Sequence, residues 1–197
     1  MRKRIGVTLV GLAVAVAGGA VLATGSAAGH GYTDTPISRQ RLCADGTVAD
    51  CGEIRWEPQS VEGPKGFPSG GPADGTICAG GNSRFAQLDD PRGGSWPTTP
   101  VRTGQEHTFR WRFTAPHATT DFRYYITRDG WNPGRPLTRD ALESVPFLTV
   151  PYRGQRPPTV FSHTGRLPSK SGRHLILAVW TISDTPNAFY ACSDVQF

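Results

Sequence analysis

The 197-residue chain lacks the marks of several common designs. No segment sustains a 3.6-residue apolar period, and strands do not alternate with helices, so helical bundles and βαβ architectures are excluded. The four cysteines include no CxxC pair, which argues against a metal–thiolate site. There is no internal repeat, no Ser- or Pro-rich linker and no second domain. Surplus charge is scarce as well. Lys and Arg number 21 against 16 Asp and Glu, a net +5, but three of the cations (Arg2, Lys3, Arg4) stand in the opening MRKR, and without them the balance is about +2. No clustered basic face of the kind that binds nucleic acid is left.

What is present begins with an address. MRKR, the apolar run IGVTLVGLAVAVAGGAVLA and the small residues TGSAAG have the order of a secretory signal peptide, predicted over residues 1–29. The glycines in the run and the small-residue site at its end favour a cleaved leader over a membrane anchor. Two cuts fit the pattern. One after Gly29 makes His30 the first residue; one after Ala28 leaves Gly29 in front of it. The remaining residues, 30–197, suit one secreted domain with a sizeable core. In an exported chain four cysteines predict two disulfides. Cys43 and Cys51 bracket a short loop and are natural partners, which leaves Cys78 with Cys192.

From Thr33 to about Pro100 the chain is rich in Gly and Pro and shows little periodicity; GPKGFPSGGPADGTICAGGN is typical. Trp56, Phe67, Phe85 and Trp96, with three of the cysteines, argue that this long loop region is ordered. From His107 the period becomes two. HTFRWRFTA sets Phe109, Trp111 and Phe113 on one face, FRYYIT continues as strand, HLILAVWTI suits a sheet covered on both sides, and FYACSDVQF alternates to the end. LTRDALESV reads as a short helix or turn. Several strands with polar turns predict an all-β, antiparallel β-sandwich.

Five histidines can carry chemistry. His107 and His174 open apolar strands and read as structural, and His163 lies in the turn-like FSHTGRLP. His117 follows a strand in the loop TAPHATT, where a rigid sandwich commonly places a site. His30, as a first residue, would pair a free α-amine with its imidazole. Such an amine has a pKa near ~8, so a metal displaces its proton readily.

HGYTDTPISR, EPQSVEGPKGFPSGGPADG, FTAPHATTDFRYYIT and ILAVWTISDTPNAFYACSDVQF together resemble the bacterial lytic polysaccharide monooxygenases of auxiliary activity family ten, formerly described as chitin-binding proteins. The resemblance runs from His30 to Phe197. It implies a fibronectin type III or immunoglobulin-like sandwich with one copper ion on a flat face. The ligands it implies are the His30 α-amine and Nδ1 and the His117 Nε2, three nitrogens in a T that suit copper and leave positions open. It gives Phe189 the axial side of the metal, Ala115 the crowding of the opposite approach, and Glu62 control of the oxygen species. Trp56 stands where many chitin-active relatives carry tyrosine, and Gln59, Glu62, Thr114, Asp184 and Asn187 fall at polar positions of the substrate face. Pro116 replaces a polar residue of some relatives.

The implied activity is secreted, copper-dependent oxidative cleavage of crystalline chitin by hydroxylation at C1, ending in aldonic acids. An external electron donor reduces Cu(II) to Cu(I), and hydrogen peroxide or dioxygen is the co-substrate. The protein is expected to act as a monomer on a chitin surface, without nucleic acid or membrane. Two alternatives stand beside this reading: a non-catalytic chitin-binding module or adhesin, and the same chemistry on cellulose.

Overall fold

A computed structural model describes residues 29–197; the predicted leader up to Ala28 lies outside the described residues. Nine strands form two sheets. The chain runs β1 (His30–Thr35), a short helix α1 (Arg39–Ala44), β2 (Glu62–Pro64), β3 (Thr99–Pro100), β4 (Glu106–Ala115), β5 (Thr119–Ile126), β6 (Leu148–Gln155), β7 (Val160–Arg166), β8 (Arg173–Ile182) and β9 (Asn187–Gln196). The smaller sheet has the order β1-β4-β7, and the larger β2-β9-β8-β5-β6, with β3 beside β9. All pairings are antiparallel except β3 with β9. This is the predicted antiparallel sandwich.

The period of two decides where each side chain goes. Along β8, Ile176, Ala178 and Trp180 face the smaller sheet, joining Phe109, Trp111 and Phe113 of β4 and Phe122 and Tyr124 of β5. Leu175, Leu177 and Val179 face the other way, into a second core with Ile54, Val61, Phe67, Ile77, Phe85 and Trp96. That second core is the long loop region folded down on the outer face of the larger sheet. HLILAVWTI is therefore covered on both sides, as its continuous apolar character predicts.

Three details differ from the sequence reading. FYACSDVQF does not alternate between core and solvent: from Ala188 to Val195 every residue of β9 is buried. The loop region covers the face that an ordinary sandwich leaves wet, so Tyr190 and Cys192 enter the second core while Phe189 and Ala191 enter the first. His163 is not in a turn but in β7, opposite Phe109 of β4. Its ring is 5.0 Å from Phe161 and stacks at 5.8 Å on Phe109. The third is α1, which periodicity misses because it spans only six residues. A helix so short has no intrinsic stability. It is held from outside, with Arg39, Gln40, Leu42 and Cys43 buried.

Two disulfides pin the loop region. Cys43 is joined to Cys51 and Cys78 to Cys192, eight and 114 residues apart in sequence. Beside the second, the buried Arg39 donates to Asp194 on β9 at 2.8 Å and to the Leu88 carbonyl at 2.8 Å. Arg173 also donates to Asp194, at 2.9 Å. Every charge of this buried group therefore has a partner, the condition under which an ion pair survives burial.

Two outcomes are expected. Loop-closure entropy gives about 3 kcal/mol for a 15-residue loop and about 4.7 kcal/mol for a 100-residue one. Replacing Cys78 and Cys192 by Ser should thus cost roughly 2–5 kcal/mol, and more than replacing Cys43 and Cys51; denaturant titration compares the two. Burial pushes the His163 imidazole down to about 4 from 6.5, so folding favours its neutral form. Its contribution is intact above pH 6.5 and is lost as pH falls toward 4. The melting temperature of the wild type should fall more steeply than that of His163→Leu over that window, and parallel curves would contradict the assignment.

Candidate metal centre and surrounding face

His30 and His117 come from opposite sides of one junction. The register sets His30 directly across from Ala115, the last residue of β4. Pro116, His117 and Ala118 then carry the chain from the smaller sheet into β5 of the larger. The backbone of this crossing is held on both sides of His117. The Thr119 hydroxyl donates to the His117 carbonyl at 2.9 Å and accepts from the Trp180 indole N–H at 2.7 Å. The Ser183 amide donates to the Ala118 carbonyl at 2.9 Å.

The His117 ring is buried, with 7% of the residue exposed, and Nδ1 makes no hydrogen bond. Asp184 Oδ1 lies 2.9 Å from that nitrogen but off the line of a hydrogen bond. A carboxylate beside the ring nitrogen that faces away from a metal is the usual way a ligating imidazole is oriented. Asp184 itself is well exposed, so it stands at the rim of the face.

Gly29 tests the fit of a metal directly. It is buried, and a Cβ built on it would lie 3.1 Å from Phe189, 3.2 Å from Trp180 and 3.3 Å from His117 Cβ. Gly29, directly before His30, is therefore packed tightly against Phe189, Trp180 and His117, in a niche with little room for a larger residue. Among the described residues no cluster of three His, Cys, Asp or Glu side chains is assembled for a metal. Two imidazoles alone make a weak site. A freed α-amine at His30 supplies the third nitrogen, and the set of three nitrogens then suits copper. The residues fit the ion only if the chain is cut before His30.

Phe189 forms the floor. It is fully buried on β9 between Trp180 and Glu62, its ring 4.8 Å from Trp180 and 6.5 Å from His30. Glu62 opens β2 across from Phe189, and the Asn187 amide donates to its Oε1 at 2.8 Å. The close approach of β2 to the neighbouring loop depends on a missing side chain, because a Cβ at Gly63 would overlap the Gly80 carbonyl. Thr114 is exposed at the end of β4, and Ala115 is half-buried opposite His30. Gln59 is half-buried, and its carbonyl accepts from the Gly31 amide at 3.0 Å, which ties the Trp56 loop to β1 beside His30. Trp56 is 76% exposed, the largest apolar side chain so presented. These contacts connect His30, Gln59, Glu62, Ala115, Asn187 and Phe189, and His117 with Asp184, while Thr114 and Trp56 are placed only as exposed side chains near them in sequence.

Supporting residues carry no sequence signal. Lys65 is a solitary cation in a Gly-rich stretch, yet its ammonium donates to the Ile182 and Thr185 carbonyls and fixes the turn that carries Asp184. Thr119 and Trp180 look like ordinary strand residues and become recognisable only through the bond that joins them.

A β-sandwich that carries His30 and His117 beside the crossing between its two sheets offers two imidazoles at one end of the fold. A family model described as "lytic polysaccharide mono-oxygenase, cellulose-degrading" matches residues 30–195. The chain belongs to this family. It is 63% identical to an AA10 lytic polysaccharide monooxygenase from Streptomyces lividans, covering 85% of this chain and all of that structure with a TM-score of 0.84. It is 46% identical over 172 residues to the AA10 family lytic polysaccharide monooxygenase C of Mycosarcoma maydis, covering 85% of this chain. It is 40% identical to the GlcNAc-binding protein A of Shewanella oneidensis over its whole length. The chain spans 52% and 41% of the lengths of these two curated relatives.

The niche makes a clear demand on processing. A chain that keeps Gly29 has an amide in place of the amine and a glycine in the niche. Its Cu(II) affinity, measured by calorimetry, should be lower than that of a chain starting at His30 by more than the ~10–100-fold that loss of an outer supporting group costs. Equal affinities would remove the α-amine from the ligand set.

Proposed function

We propose that the mature domain, residues 30–197, is a secreted copper monooxygenase that cleaves β-1,4 bonds in crystalline chitin oxidatively at C1, yielding aldonic acids. The observation that carries the reading is that the start of β1 and the crossing at His117 meet over the buried ring of Phe189: Gly29 packs against Phe189 and His117, and the His30 ring lies 6.5 Å from Phe189. His30, through its α-amine and Nδ1, and His117, through Nε2, would hold the metal. Bound there, copper supplies one-electron redox chemistry toward dioxygen or hydrogen peroxide, driven by an external reductant.

The protein's own residues perform the rest. Phe189 offers no donor atom and closes one side of the niche against a further ligand. Ala115 crowds the other approach with a methyl group. Glu62, held by Asn187, sets a carboxylate at the mouth, where it can orient a small oxygen co-substrate by hydrogen bonding. Asp184, 2.9 Å from Nδ1, is placed to orient the His117 ring once a hydrogen bond aligns. Trp56 offers an apolar ring face to a sugar, and aromatics bury up to ~150–250 Å² each. Gln59, Thr114, Asp184 and Asn187 present polar groups to hydroxyl and acetamido substituents. A site of this shape engages a surface, whereas a single soluble sugar would call for a concave pocket. No acid–base pair of the glycosidase type is needed.

Chitin is favoured over cellulose because relatives that match the chain closely are named for binding GlcNAc, the repeating unit of chitin. The family description names cellulose, which makes it the second substrate to test. Export follows from the predicted leader, and no helix among the described residues is long and apolar enough to cross a membrane.

The decisive assay incubates processed, copper-loaded protein with β-chitin or cellulose and ascorbate, and records mass spectra of the released sugars against a copper-free control. Copper-dependent chito-oligosaccharides with the aldonic-acid mass are expected. His117→Ala should abolish them while chitin binding stays nearly unchanged. Binding without any oxidised product from the wild type would make the domain a non-catalytic chitin-binding module.

A further inference from the structure

Trp56 poses a mechanical problem. An indole that is 76% exposed has little packing of its own to set its direction, yet a ring that wobbles gives up much of its binding to ordering entropy. The chain around it supplies the missing rigidity. Trp56 closes the 3-10 turn Gly52–Arg55, with its amide donating to the Glu53 carbonyl at 3.0 Å. The turn starts at the Cys43–Cys51 disulfide and is rooted by Ile54, which is fully buried.

The two acids on either side of Trp56, Glu53 within the turn and Glu57 after it, meet a single cation. Arg84 Nη2 donates to Glu53 Oε2 at 2.6 Å and to Glu57 Oε1 at 2.5 Å, and Arg84 Nε donates to Glu53 Oε2 at 3.0 Å. Glu53 and Glu57 lie three residues before and one residue after Trp56. Arg84 itself stands on a separate segment, Ser83–Leu88, capped by the Asn82 side chain, which accepts from the Arg84 amide at 3.1 Å. That segment is rooted in the core by Phe85 and Leu88. A second cation completes the arrangement: the Arg55 guanidinium lies 4.4 Å from the centre of the Trp56 ring. It covers one ring face and leaves the other for a ligand.

We propose that Arg84 is a positioning residue for polymer binding: by clamping Glu53 and Glu57 it fixes the turn so that Arg55 and Trp56 present one free indole face to the chitin surface. This rests on the reading of Trp56 as the polymer platform. The clamp is exposed, and exposed ion pairs add little to global stability. Its effect is therefore on the local orientation of the turn. Arginine is suited to the task because its planar fork reaches two carboxylates at once, which a lysine ammonium does less well.

The test compares wild type, Arg84→Gln, Arg84→Lys and Trp56→Ala, each copper-loaded, by depletion binding to β-chitin, by rate against chitin load, and by the Cu(II) electron paramagnetic resonance spectrum. Arg84→Gln should weaken binding about two- to fivefold, the range an exposed ion pair supports. It should raise the chitin load for half-maximal rate while leaving the maximal rate, the copper spectrum and the melting temperature unchanged. Arg84→Lys should fall between the two. At 1 M salt, where the screening length is ~3 Å, the wild type should lose its advantage over Arg84→Gln. If Trp56→Ala weakens binding and Arg84→Gln does not, the clamp is overturned and the platform stands. If Trp56→Ala binds like the wild type, the platform reading itself falls and the clamp with it. A binding loss that tracks a lowered melting temperature, with no recovery in Arg84→Lys, would make Arg84 a stabilising residue only and overturn the proposal.

Discussion

The constraint on which the rest depends is that β9 has no face in water. A strand at the heart of a two-layer sandwich buries one face and wets the other. Here Phe189, Ala191 and Val195 pack against the smaller sheet, while Tyr190 and Cys192 need a cover of their own. The cover is the long loop region, which has little secondary structure to hold it together. It is fastened to β9 at discrete points: Cys78 to Cys192, Arg39 to Asp194, the Gln40 amide to the Tyr190 carbonyl at 3.0 Å, and β2 to residues 187–189. Each fastening trades chain entropy for a specific bond, which is how a segment so rich in glycine becomes a fixed surface.

That arrangement explains where the site sits. The niche needs a hard floor, residues from both sheets and a rim that can vary. The floor is Phe189 on β9, backed by Trp180 on β8. The walls come from β1 and from the crossing after β4, the place where the two sheets meet at one end. The rim, with Trp56, Gln59 and Glu62, belongs to the cover. Folding the cover onto β9 and building the face are thus one event. The imidazoles, by contrast, are carried by the sandwich itself, His30 on β1 and His117 in the crossing between β4 and β5.

Much of this was legible in the chain. The alternation in HTFRWRFTA fixes which side of β4 is core, and the unbroken apolar run in HLILAVWTI demands cover on two sides. Once that demand is stated, some segment must supply the second layer, and the ordered, cysteine-pinned loop region is the one available. The burial of FYACSDVQF follows from the same logic, but its local pattern of small and polar residues hides it: Ser193 and Asp194 look solvated and are buried because Pro36 O, Arg39 and Arg173 satisfy them. His163 misleads in the opposite direction. Serine and glycine around it suggest a turn, whereas a strand across from β4 accepts small residues where the facing side chains are large. The pairing of Lys65 with the Asp184 turn and of Arg84 with Glu53 and Glu57 leaves no local trace, since each joins segments far apart in sequence.

The histidine pair carries a different lesson about what a sequence encodes. Among the described residues no cluster of ligating side chains announces a metal. On the proposed function a cut before His30 would complete the site by releasing an amine, at a place where Gly29 packs tightly against Phe189, Trp180 and His117. β1, which carries His30, is locked to β4 and to the Gln59 carbonyl. Preorganisation is then inherited from strand pairing, and the open side of the niche remains free for a surface to cover.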